Sequence, residues 1–370
     1  MREPLGIGLA GMGGFGTFCL AAYAAMPEVT VTAVADLDRA RAEAAAAPGT
    51  TIYTDYARMV ADPAVHIVAI NTPPHLHARM ARDAIAAGKH VLVEKPLATT
   101  LDDARTVITA AQAAGVQITV DFVLRYHPLH QLAAQVVHSG ALGAFRHWSL
   151  ENFATDETLL PGHWFWDPAQ SGGIHVEHGV HFFDLCNHLA QATPTHVSGY
   201  SQRRADGRED RVSATVRYGD SVLATFYHTF NQVRAVEQTT IRIGCERGHI
   251  TLEGWIPTRL ALHGLVDDKG LNTLVALFPH MNIHERYQGE QGIFQHGGCT
   301  DRLVALVSAE TTAPDRQADY RRGIQAVMRD LVNAVRGEQS LTVTAEDGLL
   351  ALAIALAASN HAAWGPPFAL

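Results

Sequence analysis

Apolar and polar positions change rhythm near residue 123. Before it, short β-branched runs alternate with alanine-rich stretches of helical period. Runs over 5–10, 29–36, 67–71, 90–94 and 116–122 read as strands, each bounded by Gly, Pro or Asn. Helices are predicted between them over 17–25, 55–61, 76–87 and 101–114. Thr100 with Asp103 forms an N-cap pattern for the last of these, and Gly115 supplies its C-terminal stop. Strands this continuously apolar, alternating with helices, require a parallel sheet covered on both faces.

Beyond Phe122 the order of elements differs. A helix over 128–139 leads to a strand over 145–153, a Trp- and Gly-rich loop, and a helix over 175–189. Strand-like runs follow over 196–203, 211–218, 221–230 and 239–252, with hairpin turns at Gly219-Asp220 and Arg247-Gly248. Consecutive strands joined by short turns make a mainly antiparallel sheet. Helices over 315–336 and 345–362 close the chain, Thr344 and Asp347 marking the start of the second. Residues 265–300 show no clear period. The expected fold is an α/β domain over 1–123, then an α+β domain over 124–370 with a large, open, mainly antiparallel sheet. The last helix is free to pack back on the first domain.

Composition narrows the function. The 370 residues carry 47% hydrophobic and 18% charged positions, a globular balance. A net charge of −9 without a basic run argues against nucleic acid as a partner. Glu3 and five glycines between Gly8 and Gly16 spoil an N-terminal leader, and the apolar run 349–358 is too short to span a bilayer. Four widely spaced cysteines frame neither disulfides nor a zinc finger, so a cytoplasmic, membrane-free protein is expected. The 21 histidines are the unusual feature.

Gly11-Met12-Gly13-Gly14-Phe15-Gly16 follows the first strand and opens a helix, in the pattern GxGxxG. Gly11 suits a tight turn, Gly13 a close approach to pyrophosphate, and Gly16 close packing of helix on sheet. Asp36 ends the second strand 25 residues after Gly11, where a carboxylate accepts from ribose hydroxyls and repels a 2′-phosphate. Arg39 and Arg41 could hold such a phosphate, but Asp38 stands beside them. NAD is expected rather than NADP.

Further motifs resemble the Gfo/Idh/MocA family (glucose–fructose oxidoreductase, inositol dehydrogenase and relatives). These are Asn71-Thr72-Pro73-Pro74 with His77, then Gly88-Lys89-His90-Val91 running into Glu94-Lys95-Pro96, and Arg125-Tyr126 with Pro128. Gly140-Ala141-Leu142-Gly143, the run Gly172-Gly173…Glu177-x-Gly179-x-His181-x-x-Asp184, and Thr344-Ala345-Glu346-Asp347-Gly348 complete the set. The resemblance implies a Rossmann domain and a second domain whose open sheet supports a homodimer or homotetramer. It implies a sugar or cyclitol substrate exchanging hydride with the nicotinamide. It places Gly11, Gly13, Gly14, Phe15, Gly16, Asp36, Asn71, Thr72, Pro73, His77, Glu94 and Lys95 at the cofactor. Lys95 matches the family's lysine, His181 its catalytic histidine, and Glu177 a place usually held by aspartate.

The chemistry agrees with those positions. Oxidising a hydroxyl needs a base near neutrality, which an imidazole supplies, and a fixed cation steadies the developing alkoxide. Glu177 and His181 lie one helical turn apart, and Asp184 can orient the imidazole.

Five histidines fall between 163 and 188. His163, His175 and His178, with Arg125, Tyr126, Trp164, Trp166 and Asp184, are candidate substrate contacts. Trp164, Phe165 and Trp166 equally suit a sugar face or a domain core. His175 and His181 face different ways on a regular helix, so no metal is assigned. Two other functions fit the same residues: an NAD-dependent glycosidase working through transient oxidation at C3, and a non-catalytic NAD-sensing regulator.

Overall fold

The computed structural model describes residues 3–360. Two compact units divide the chain, and neither is continuous. The first takes the chain up to Val123 together with Pro161–Asp184 and Tyr320–Leu356; the second takes Leu124–Leu160, Leu185–Asp319 and the chain from Ala357. A single division at 123/124 therefore describes only the leading segment. The Trp-rich loop and the histidine-bearing segment up to Asp184 return to the first unit.

That unit is built on a six-stranded parallel sheet: β1 Leu5–Ala10, β2 Val29–Ala35, β3 Thr51–Tyr53, β4 Ile67–Ile70, β5 His90–Val93 and β6 Ile118–Val120. The order β3-β2-β1-β4-β5-β6 is that of a Rossmann fold. β4 and β6 are buried at every position, the signature of a sheet covered on both faces. Helices α1 Gly14–Ala24, α2 Arg39–Ala45, α3 Tyr56–Val60, α4 His77–Ala86 and α5 Leu101–Ala114 connect the strands. The Thr100 hydroxyl accepts from the Asp103 backbone N–H, and Gly115 takes φ +67° to stop α5. β3 and α2 escape the sequence reading because three and seven residues hold too little periodicity.

The second unit carries a nine-stranded sheet ordered β14-β17-β13-β12-β11-β7-β10-β9-β8. Its strands are β7 Phe145–Thr155, β8 His196–Arg203, β9 Glu209–Tyr218, β10 Val222–Gln232, β11 Gln238–Cys245, β12 Gly248–Glu253, β13 Arg259–Val266, β14 Asn282–Arg286 and β17 Ala305–Thr312. Only β7 and β10 pair in parallel. A hairpin of β15 Ile293–His296 and β16 Cys299–Arg302 stands apart. α6 Pro128–Ser139 and α9 Asp268–Leu277 belong here. The β11–β12 turn is Glu246-Arg247, one residue earlier than the sequence suggested, because Cys245 pairs with Gly248. The strands missed between 265 and 302 are short and largely exposed, which removes the alternation that marks a strand.

The remaining helices include α7 Pro168–Ser171, α8 Val180–Ala190 and α10 Arg316–Val335. α10 is tied to the first unit by Arg329–Glu28 at 2.7 Å and by Tyr320, whose ring stacks on Phe18 at 5.1 Å. The last helix, α11 Ala345–Ser359, starts on a reciprocal cap between Thr344 and Asp347. Gly348 there lies so close to Val120 and Leu97 that a Cβ would sit 2.8 Å from the valine. The expected end of this helix at 361–362 lies outside the described residues. Among the described residues no helix is long and apolar enough to cross a membrane.

Candidate active site

The glycine loop has the shape its sequence requires. Gly11 takes φ +90°, and a Cβ there would meet the Asn71 carbonyl oxygen at 2.7 Å. A Cβ on Gly16 would lie 1.9 Å from the Gly11 carbonyl oxygen, so helix and loop touch backbone to backbone. Gly13 and Gly14 are exposed, and a Cβ on either would meet nothing within 4 Å. No side chain caps the first turn of α1 and no acid stands in it. Free N–H groups and the positive end of the helix dipole face that open space, as an anionic pyrophosphate needs. Phe15 is held by Phe18 and Tyr320, both at 6.4 Å between ring centres.

These glycines separate two roles. Gly16→Ala is expected to lower the thermal midpoint by about 5 °C or more, because the clash is with immovable backbone. Gly13→Ala should keep the wild-type midpoint yet weaken NAD binding about tenfold, as read by calorimetric titration.

Asp36 is organised by the same loop. Its two oxygens accept from the backbone N–H of Met12 at 2.7 Å and of Asp38 at 2.8 Å. Arg41 stands 3.8 Å from Asp36 and 3.9 Å from Asp38, while Arg39 pairs with Glu43 at 2.7 Å. Both arginines are thus directed at carboxylates.

Asn71, at the end of β4, has both amide atoms buried and without a hydrogen-bond partner. Its Cβ lies against Gly16. An orphaned amide beside an uncapped helix and an open glycine turn fits a dinucleotide (a buried amide otherwise costs stability). Thr72 and Pro73 continue the strand into the turn 74–76. His77 differs from expectation: its ring nitrogens face the Pro96 and Thr72 carbonyl oxygens, each at 2.7 Å. Burial pushes its pKa down to about 4, and it serves to tie these two loops together.

At the end of β5, Lys95 is 8% exposed, and the Lys95–Pro96 peptide is cis. The Lys95 Nζ donates to Glu177 Oε1 at 2.5 Å and to the Glu177 carbonyl oxygen at 2.8 Å. An ammonium has three N–H donors, and these two bonds use two of them. Burial opposes the ammonium, but Glu177, Glu94 and Asp121 outweigh it and hold the Lys95 pKa above its ordinary value. Burial likewise works against the Glu177 carboxylate, and Lys95 followed by His178 reverses the effect, leaving its pKa lowered. The Glu177 carboxylate thus reaches the lysine directly.

Glu94 accepts the backbone N–H of Lys95, and desolvation of its carboxyl group pushes its pKa up. Asp121, at the end of β6, is absent from the sequence-derived candidates. Its position just past a parallel strand is where such sheets place functional groups, and that signal could have found it.

The segment His175–Gly179 is a single wide π-helical turn leading into α8, where a regular helix was expected. Such turns occur inside helices at functional sites. His181 begins α8, 4% exposed, its ring set edge-on to Phe122 at 6.3 Å and to His178 at 6.3 Å. Desolvation lowers the His178 pKa to about 4. His175 is buried against Phe183, 6.1 Å between rings, and Asp184 is buried further along α8. His163 caps the turn Trp164–Trp166 by accepting from the Phe165 N–H. Trp164 and Trp166 are half-buried, whereas Phe165 is buried. Arg125 and Tyr126 belong to the second unit, where Arg125 lines a small cavity with His130, Trp148 and His188. Among the described residues no three His, Cys, Asp or Glu side chains gather in a metal-holding group.

Residues 5–122 match the oxidoreductase family with an NAD-binding Rossmann fold, and 130–251 match the GFO/IDH/MocA C-terminal domain. The chain belongs to the Gfo/Idh/MocA oxidoreductase family. Within the family it is 33% identical over 184 residues to 1,5-anhydro-D-fructose reductase of Ensifer adhaerens, covering 48% of this chain and 54% of that protein. It is 31% identical over 238 residues to D-xylose 1-dehydrogenase (NADP(+)) 2 of Haloferax volcanii, covering 60% and 69%. The chain spans about half the length of several curated relatives it matches. Levoglucosan dehydrogenase in complex with NADH shares the fold at TM-score 0.78 and 21% identity, covering 99% of this chain and 100% of that one.

Proposed function

We propose that this Gfo/Idh/MocA protein is an NAD-dependent oxidoreductase transferring hydride between a secondary hydroxyl of a sugar, sugar derivative or cyclitol and the nicotinamide. The observation that carries the reading is Lys95, a buried ammonium with one free N–H, held by Glu177 on the segment that also bears His181. Bound NAD supplies the hydride acceptor. The chain's own residues bind and orient: the glycine loop and α1 hold pyrophosphate, Asp36 the adenosine ribose, and Asn71 and Glu94 line the strand ends. Lys95 Nζ steadies the substrate oxygen, and the His181 imidazole takes the hydroxyl proton. Relatives named for 1,5-anhydro-D-fructose, D-xylose and scyllo-inositol support a polyol substrate. Four unpaired thiols suit a reducing cytoplasm, and an open nine-stranded sheet suits a homodimer or homotetramer.

A panel of stereoisomeric sugars and cyclitols with NAD should yield reduced nicotinamide with at least one member. No reduction across the panel, at protein concentrations that saturate with NAD, would count against the reading. Aglycone release without net reduction would mark the glycosidase cycle instead. Asp36→Ser is expected to weaken NAD binding about tenfold and to narrow the NAD-to-NADP ratio of dissociation constants by at least that factor, through loss of ribose acceptors and of repulsion toward a 2′-phosphate. Calorimetry with both dinucleotides checks it.

A further inference from the structure

Three adjacent strands of the first sheet end in polar groups: Asn71 after β4, Glu94 and Lys95 after β5, Asp121 after β6. The Asp121 backbone N–H donates to the Val93 carbonyl at 2.8 Å, which sets its side chain beside the Glu94–Lys95 pair. Asp121 is 2% exposed, and neither carboxylate oxygen has a hydrogen-bond donor. Glu94, by contrast, accepts the Lys95 N–H, and Glu177 accepts the ammonium. The titratable groups that interact with Asp121 are Cys19 and Tyr23 on α1 and Glu94 and Lys95 beyond β5, while Glu177 on the π-helical turn acts on the same Lys95 and Glu94. With all three carboxylates ionised, one lysine would face three negative charges in a desolvated space.

We propose that Asp121 is the charge-compensating carboxyl of Lys95, a neutral acid while Glu177 is ionised against the ammonium and its counter-charge when Glu177 is removed. The reasoning is electrostatic. A buried carboxylate without donors is far costlier than the neutral acid. Of the three carboxyls, Asp121 is the one whose oxygens have no donor, so it keeps the proton. When Glu177 loses its charge, an unpaired ammonium is the costlier species, and Asp121 releases its proton to bulk water. Burial raises the carboxyl pKa of Asp121 to about 7 and that of Glu94 to about 8, so the donor that Glu94 has and Asp121 lacks is what assigns the proton to Asp121. Asp121 is thus a positioning residue that acts through Lys95. Only this catalytic consequence rests on the proposed function, because the charge states themselves need no turnover.

Infrared difference spectra of the purified full chain near neutral pH test the inference without substrate. A carbonyl stretch of a protonated carboxylic acid should be present in the wild type, lost in Asp121→Asn and kept in Glu94→Gln. It should also be lost in Glu177→Gln, where Asp121 ionises. A band unaffected by Asp121→Asn, lost in Glu94→Gln, or persisting in Glu177→Gln overturns the proposal.

Thermal midpoints give a second reading that uses Asp121→Asn alone. An acid whose folded pKa, about 7, exceeds its unfolded value of 3.8 binds more protons when folded. Its stability is therefore fully present below the unfolded pKa and is lost as pH rises through the folded pKa. The midpoint of Asp121→Asn relative to wild type should climb by a few degrees between about pH 5 and about pH 8. A constant difference overturns the proposal.

Discussion

Lys95→Met is expected to lower kcat on an oxidised polyol by about 10³-fold, with the Kd for NAD held within about fivefold. The lysine has one N–H left after serving Glu177, and in the proposed reaction that donor would serve the oxygen on which negative charge develops. Oxyanion donors of this kind act in the transition state, so their loss falls on kcat more than on cofactor affinity. The variant has a second consequence that must be separated from the first. With the ammonium gone, Glu177 is a buried carboxylate without its cation, which costs about 3–5 kcal/mol. Lys95→Met/Glu177→Gln removes both charges and should restore most of the thermal midpoint while leaving kcat low. Recovery of activity in the double variant would show that the pair is structural and that Lys95 does no chemistry. A wild-type kcat in Lys95→Met would do the same.

His181→Asn should lower kcat/KM by about 10²- to 10⁴-fold, the range of a positioned general base. Loss of the imidazole should also remove the acid limb from the pH profile of kcat/KM. His178 provides the control, since it stands 6.3 Å away ring to ring on the same segment. Its pKa is lowered to about 4 by desolvation, so it is neutral throughout the range in which such an enzyme is assayed. His178→Asn should therefore leave the acid limb in place and cost less than about tenfold. An acid limb that vanishes with His178 and survives the loss of His181 would exchange their roles.

The histidine count shows where reading residues in order loses power. His77, His163 and His175 all looked available for ligands. The fold gives them different tasks: His77 faces two carbonyls, His163 caps a turn, and His175 packs on Phe183. Others form a row across the exposed face of the second sheet, where His249 pairs with His263 in register and His284 lies 6.3 Å further on. An imidazole is small, amphipathic and bonds at two ends, so its type says little about its place. Lys95 was easier to find because the run Glu94-Lys95-Pro96 after a strand resembles the family's motif.

What the sequence by itself determined is local. Continuous apolar runs and period-3.6 patterns set the strands and helices of the first unit, and glycines at 11 and 16 specified a turn that only a bare Cα can make. Asp36 followed from its distance past the glycine turn, and Lys95 from the resemblance of Glu94-Lys95-Pro96 to the family's motif. Tertiary structure decided everything that depends on which strand ends meet. It brought Glu177 to Lys95 across 82 residues, returned the segment 161–184 to the first unit, and set Asp121 beside Glu94. Hydrophobic periodicity records which face of an element is buried but not against what. A carboxylate's role depends on the charges and donors that surround it, and those come from distant parts of the chain.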